Sequence, residues 1–473
     1  MSKISALANA REQAKAATPA REALAKLFDP DSFVELDAFA KSNGEDVGVV
    51  IGYGAIEGCP VYAFAQDSTV HDGAVGRIHA AKVKKVYDLA VKTGAPVVGI
   101  YDSNGADLRE GSGALSAYGE MLLASNQISG VVPQISLVLG TCAGSAAMVA
   151  ASADFVVMEQ SAQLFLTAPS VTQAKGEKLE GAGSAENAAK AGVAHLVEES
   201  REAAIARTRA LVSLLPMNNL SSPPVCDFTE AAGAGEYLRG ACENMGGADM
   251  KDIVASIVDC GSAIELQAQF GEGAYCALAT LGGFTVGVAA TVGERLSAAE
   301  CAKIARCVSI CDAFQIPVIT FVNTQGFAAS AAQELSGLVR ECAKVAHVYA
   351  EATTPKISVV LGDAFGPAFI ALAGKNANAD VAVAWPSAVI SALAPETAVA
   401  VLCEDEITAE KSRAQVEAEY RETRAGALNA AADGIVDDVI DPADTRQVLL
   451  SALDMLAGKR VTKLPKKHGN LPL

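Results

Sequence analysis

The chain has 473 residues, enough for two or three domains, and is 51% hydrophobic against 19% charged, which excludes a disordered polyelectrolyte. Its net charge of −18 excludes a general nucleic-acid binder, since an acidic surface repels phosphate backbones, although a local basic patch can still hold a phosphate-bearing coenzyme. Eleven cysteines stand singly with no C-x-x-C pair, which disfavours zinc ribbons and disulfide frameworks and favours reduced thiols in a cytoplasmic protein.

In chain order, MSKISALANAREQAKA reads as a short charged helix without the apolar middle of a signal peptide. No apolar run reaches the roughly 18 residues of a membrane span, so no membrane insertion is expected. IGYGAIEGCPVYAFAQ reads as a hairpin, 74–93 as an amphipathic helix and 96–101 as a buried strand ending in a polar glycine turn. A helix over 112–127 and a buried strand over 134–139 follow, and that strand runs into a glycine turn and a new helix. Pro, Ser and Gly cluster over 215–250, where a linker is placed between domains at 1–230 and 245–473.

The pattern then restarts. CALATLGGFTVGVAA repeats the hairpin, 297–314 the helix, 317–322 the strand, 331–351 the next helix and 357–361 the second buried strand. Cys307 and Cys311, one helical turn apart, read as small core residues. A charged helix over 405–426, a strand-like GIVDDVI, a helix over 443–457 and a basic tail close the chain. The segment from Pro133 to Ala146 aligns with that from Pro355 to Ala368, and Pro96–Gly105 aligns with Pro317–Gly326 at almost the same offset, which points to an internal duplication. Strands alternating with helices in each copy imply βαβ units and a largely parallel sheet.

Two bends stand out. In Gly140-Thr141-Cys142-Ala143-Gly144-Ser145-Ala146 a buried strand stops, small residues turn and a helix begins; Gly362–Ala368 repeats the arrangement. The first amides of a helix lack internal acceptors and lie at its positive end, so such a bend either holds an oxyanion or is a tight turn packed on its sheet. Asp102 and Asp107 either do acid/base work or belong to a polar strand-end turn. Arg77, Lys82, Lys84 and Lys85 either meet phosphates or form a solvated helix face. The five histidines show no ligand spacing, so no metal is expected, and His79 and His347 read as structural or solvent-facing. Neither a G-x-S-x-G nucleophile nor a G-x-x-x-x-G-K-[ST] loop is present.

Taken in order, LFDPDSFVELDAFA, AQDSTVHDGAVGRIHAAK, GAPVVGIYDSNGADLREG, SGVVPQIS, GTCAGSAA, GVAH, CDAFQIPVITFV, YAEATTPKIS, WPSAVISALAPE, GIVDDVIDPADTRQ and KKHGNLPL run from about Arg21 to Leu473. They resemble the carboxyltransferase (beta) subunits of biotin-dependent acyl-CoA carboxylases, of the propionyl-CoA carboxylase type, a group that includes the alpha subunits of biotin-dependent decarboxylases. The resemblance implies an α/β fold of two tandem crotonase-like (ClpP/crotonase) domains. It also implies a homohexamer built as a trimer of dimers, with the active site between the N-terminal domain of one subunit and the C-terminal domain of another.

The same resemblance makes acyl-CoA the substrate and biotin the cofactor. This chain has no Met-Lys-Met attachment motif and no ATP-grasp region, so biotin would come on a separate carrier protein and a biotin carboxylase would be a further partner. Gly144 and Ser145 would then hold the thioester oxygen, Gly366 and Ala368 the biotin ureido oxygen, and Cys142, Ala143 and Ile370 would lie against the acyl group. Three departures stand at such turns: Ser145 for a family glycine, Pro367 where a donor amide is usual, and Asp107 for an arginine. They fit altered specificity, and they also fit a non-catalytic paralogue.

Overall fold

The hairpins show most directly how sequence becomes shape. Val49–Ile56 pairs antiparallel with Cys59–Gln66, and the two residues between them, Glu57 and Gly58, take φ of 49° and 76°. Two positive φ values match the right-handed twist of the flanking strands. The carboxylate of Asp29 accepts both turn amides, from Glu57 at 3.1 Å and Gly58 at 2.9 Å. Arg209 closes the arrangement, donating to the Asp29 carboxylate at 2.8 Å and to the Leu27 carbonyl at 2.6 Å. In the second copy Ala274–Leu281 pairs with Phe284–Thr291 around Gly282 and Gly283. There Asp259 accepts both amides and Arg446 donates to Asp259 and to the Ile257 carbonyl.

The computed structural model describes residues 3–177, 181–328, 330–372, 374–375, 377 and 379–472. The chain divides into two units, Met1–Ser222 and Pro223–Leu473. In the first, the sheet runs Val34–Leu36, Val49–Ile56, Cys59–Gln66, Val97–Ser103, Gln134–Ala143, Phe155–Glu159 and Leu196–Glu198, with Gln163–Phe165 added to the far end of Gln134–Ala143. The second sheet has the same order, from Ile264–Leu266 to Asp438–Val439, with Val389–Ser391 added to Lys356–Phe365. In both, the hairpin side is antiparallel and the remaining neighbours are parallel.

Each unit has its own core. Val83, Val86, Val138, Val149 and Met158 are buried in the first, and Ile253, Val288, Phe321, Val359 and Trp385 in the second. Cys307 and Cys311 are buried on the helix Ala298–Ala313, as expected. Three boundaries differ from the sequence reading. The stretch placed as linker contains a helix, Ala234–Glu243. The helix expected over 331–351 is two, Ala331–Leu335 and Leu338–Glu351, broken where Gly337 takes φ 89°. The charged C-terminal helix starts only at Arg413, capped by Ser412 and Gln415.

Candidate active site

Each bend begins with an irregularity in strand pairing. Val97–Ser103 stays in register with Gln134–Ala143 as far as Tyr101 and Val138, then shifts so that Ser103 faces Cys142. Asp102 occupies the gap. A Cβ on Gly140 would lie 2.1 Å from Asp102 Oδ1, and the same carboxylate accepts from Thr141 N at 3.3 Å and Ser68 Oγ at 2.7 Å. In the second unit the shift falls between Val322 and Thr324; a Cβ on Gly362 would lie 2.4 Å from Asn323 Oδ1, which accepts from Asp363 N at 3.0 Å. Of the two roles open to Asp102, the structure supports the strand-end turn: an amide oxygen does the same work in the other copy.

Past the bulge, Gly144 turns the chain with φ 62° and ψ −129°, and Gly366 does so with φ 56°. A side chain at either would be strained. Ser145–Ala151 and Gly366–Leu372 are the helices that start there. Ser145 N–H stands in the first helical turn, where no intrahelical acceptor is available. The Gly144 amide differs from the sequence reading of two open donors. It donates to Phe165 O at 2.8 Å, because the strand Gln163–Phe165 continues its pairing one residue into the bend. Pro367 sits in the first turn of the second helix, which suits its fixed φ and its missing N–H.

Apart from Thr141 and Asp363, the side chains carried by the two bends themselves are small or apolar. Cys142 and Ala143 are buried, and burial pushes the Cys142 thiol well above its ordinary range, so these two shape the strand under the bend and leave its surface to main-chain groups. Ala368 is buried, whereas Ile370 is 58% exposed and Met148, at the matching place in the first copy, is 48% exposed.

A carboxyl transferase domain profile matches residues 11–471. The 12S subunit of methylmalonyl-CoA carboxyltransferase from Propionibacterium freudenreichii subsp. shermanii is 39% identical over 477 residues, covering 96% of this chain and 91% of that protein. The alpha subunit of methylmalonyl-CoA decarboxylase from Veillonella parvula is 38% identical, covering 98% and 94%. The chain belongs to the carboxyl transferase family. A transcarboxylase 12S crystal structure with methylmalonyl-CoA and methylmalonic acid bound superposes with a TM-score of 0.92 at 38% identity, over 98% of this chain and 94% of that one. The tandem crotonase-like architecture expected from the sequence therefore holds.

One departure expected from the resemblance acquires a physical setting. Asp107 forms a pair with Arg109 at 2.9 Å, and Arg109 also reaches Glu45 at 3.2 Å. Hydrogen bonding to Arg109 holds the Asp107 carboxyl below its usual value. These residues line an open cleft with His71, His79 and Glu110 in the first unit.

The basic stretch beside it divides. Lys84 pairs with Asp88 and Lys85 with Asp37, each at 2.7 Å. Lys82, expected at the surface, is buried and donates to the Val49 carbonyl at 2.6 Å, with burial lowering its pKa to about 8. His79 is also buried, and burial, followed by the charge of Lys82, lowers its pKa to about 3.

Proposed function

We propose that this carboxyl transferase moves a carboxyl group between biotin on a separate carrier protein and a short-chain acyl-CoA of the acetyl or propionyl type. The observation that supports it most is the duplicated strand–glycine–helix bend, one in each half of a chain whose relatives carry methylmalonyl-CoA and propionyl-CoA in their names. In this reading residues 1–230 serve acyl-CoA and 245–473 serve biotin. Ser145 N–H holds the thioester oxygen, while Gly144 N–H, donating to Phe165 O, fixes the bend that aims it. At the other bend the neutral ureido group of biotin suits main-chain donors, and Gly366 and Ala368 supply N–H groups there.

Held by the Gly366 and Ala368 amides, biotin would supply the activated carboxyl group and a base for the acyl α-proton. The chain's own contribution is preorganised amides aimed at oxygens that gain charge, which needs no side-chain acid or base. Exposed apolar side chains near each bend, Leu108, Leu115 and Leu166 in the first unit and Leu335, Val339 and Ile370 in the second, suit burial in an assembly such as the hexamer reported for transcarboxylase 12S. Biotin carrier protein and biotin carboxylase complete the proposed partners. Eleven unpaired thiols suit the reducing cytoplasm.

Two further readings have specific support. Kinship with decarboxylase alpha subunits favours the reverse use, in which malonyl-, methylmalonyl- or glutaconyl-CoA gives up its carboxyl group to biotin. Pro367 favours a weakly active structural paralogue in a carboxylase complex, since a lost oxyanion donor costs about 10²–10³ in rate. One assay addresses all three: purified chain, free biotin or biotinylated carrier, and each carboxylated acyl-CoA, followed by carboxybiotin formation. Transfer from a short-chain substrate is expected, and Pro367→Gly is expected to raise it about 10²-fold. No transfer by either protein would reject the enzymatic reading.

A further inference from the structure

The two bends are alike in backbone but are not held in the same way. Among the described residues the first unit passes from the helix Pro169–Ala174 to Ala185–Lys190 with no helix between. The second passes from Pro395–Leu402 to Ala427–Ala432 through an additional helix, Arg413–Thr423. That helix carries Arg421 onto the strand leading into the second bend. Arg421 donates to both oxygens of Asp363, at 3.0 and 3.3 Å, and its guanidinium carbon lies 5.9 Å from the centre of the Phe365 ring. Asp363 and Phe365 are the third and first residues before Gly366. In the first copy the place of Asp363 is taken by Thr141, an uncharged residue.

The chain just after the helix is stitched to the same strand end. Ile390 N donates to Ala425 O at 2.8 Å, and Gly426 bridges to Val389. Val389–Ser391 in turn pairs with Asp363–Phe365. The segment before Gly366 is thus gripped by a forked ion pair, a cation over a ring and a neighbouring strand, while Asn323 Oδ1 accepts from the Asp363 amide.

We infer that Arg421 is a positioning residue for the proposed biotin-side bend, acting through Asp363 and Phe365 to fix the direction of the Gly366 and Ala368 amides. The inference rests on the functional reading above for what that bend binds. Pro367 gives the grip its weight. With one donor absent, the remaining amides must be well aimed, and small misplacements of donors lose large factors in rate. A bidentate guanidinium fixes orientation in a way that a lysine ammonium does not.

The test has two arms. In the first, amide hydrogen exchange is compared for wild type, Arg421→Gln and Asp363→Asn; faster exchange confined to a peptide spanning residues 363–369 is expected in both variants. Unchanged exchange there would overturn the grip whatever the protein catalyses. In the second, carboxylation of free biotin by methylmalonyl-CoA is measured. Arg421→Gln is expected to lower kcat/KM for biotin about tenfold or more, to leave the KM for methylmalonyl-CoA within about twofold, and to be partly rescued in Arg421→Lys. The double variant is expected to be no worse than either single one. Equal losses toward both substrates, or none, would overturn the positioning role. A wild-type protein without transfer would overturn the functional reading and the positioning role with it, while the exchange arm still decides the grip.

Discussion

Gly144 and Gly366 turn the chain at positive φ, 62° and 56°, a conformation open to glycine and strained for most other residues. Alanine at either is expected to cost about 1–3 kcal/mol and to swing the following amides away from the ligand. For Gly144→Ala, a drop of at least about tenfold in carboxyl transfer with an unchanged far-ultraviolet dichroism spectrum would bear this out; full activity would contradict the role of the bend.

His79 makes a different demand. It is buried with Gln66 Nε2 3.3 Å from its Nε2, and Lys82 lies one turn further along the same helix. With a folded pKa of about 3 against 6.5 unfolded, the unfolded chain binds the extra proton between those values, so stability falls as pH falls through that window, by up to about 1.4 kcal/mol per unit. His79→Gln is expected to flatten the dependence of the unfolding midpoint on pH between 6.5 and 3. Lys82 acts between pH 8 and 10.5, where the unfolded chain again holds more protons and stability rises with pH.

At the scale of elements, the hairpin clamps invite a direct comparison. Asp259 is 2% exposed at its side chain and Arg446 13%, whereas Asp29 and Arg209 are 26% and 23% exposed. Burial pushes the Asp259 carboxyl up, and the amides of Gly283 and Gly282 with Arg446 more than offset it. Removing the arginine leaves a buried carboxylate and two turn amides without their closing partner. Arg446→Ala is therefore expected to cost about 3–5 kcal/mol, and Arg209→Ala, where water can replace the guanidinium, about 1–2 kcal/mol, read as shifts in denaturant midpoint. Equal shifts would mean that burial does not govern the clamp.

These clamps also mark what the sequence left unread. Hairpins, buried strands and glycine bends were legible because they depend on local periodicity and on residues with special φ. Asp29 and Arg209 lie 180 positions apart, and neither periodicity nor spacing links them. The same holds for Arg421 and Asp363. Lys82 was misread for a related reason: on its helix it looks like part of a basic face, and only the hairpin packed above supplies the Val49 carbonyl that accepts its ammonium. Gly144 was half legible. Its conformation follows from its type, but the capture of its amide by Phe165 depends on a strand twenty residues later.

For the whole molecule, duplication has produced two sheets of identical strand order with separate cores, yet cysteine is distributed unequally between them. Cys59 and Cys142 belong to the first unit and the other nine to the second. Cys276, Cys307 and Cys311 lie in the second interior, and the neighbouring thiols and burial keep Cys276 protonated well above its ordinary range. Cys142 is the buried reporter of the first interior, and Cys260 is exposed. A thiol reagent applied to the folded protein is thus expected to modify Cys260 at once, and Cys142, Cys276, Cys307 and Cys311, four of the six buried thiols, only when their own unit opens. A unit stable by about 5 kcal/mol opens in fewer than one molecule in 10³, so protection factors of that order or more are expected. Because the cores are separate, a variant that weakens one clamp should raise labelling in one set of thiols. Arg446→Ala is expected to speed modification of Cys276, Cys307 and Cys311 and leave Cys142 at its wild-type rate, as read by mass spectrometry of labelled peptides. Equal acceleration of all four would show that the two cores open as one, and that the duplicated halves have merged into a single cooperative unit.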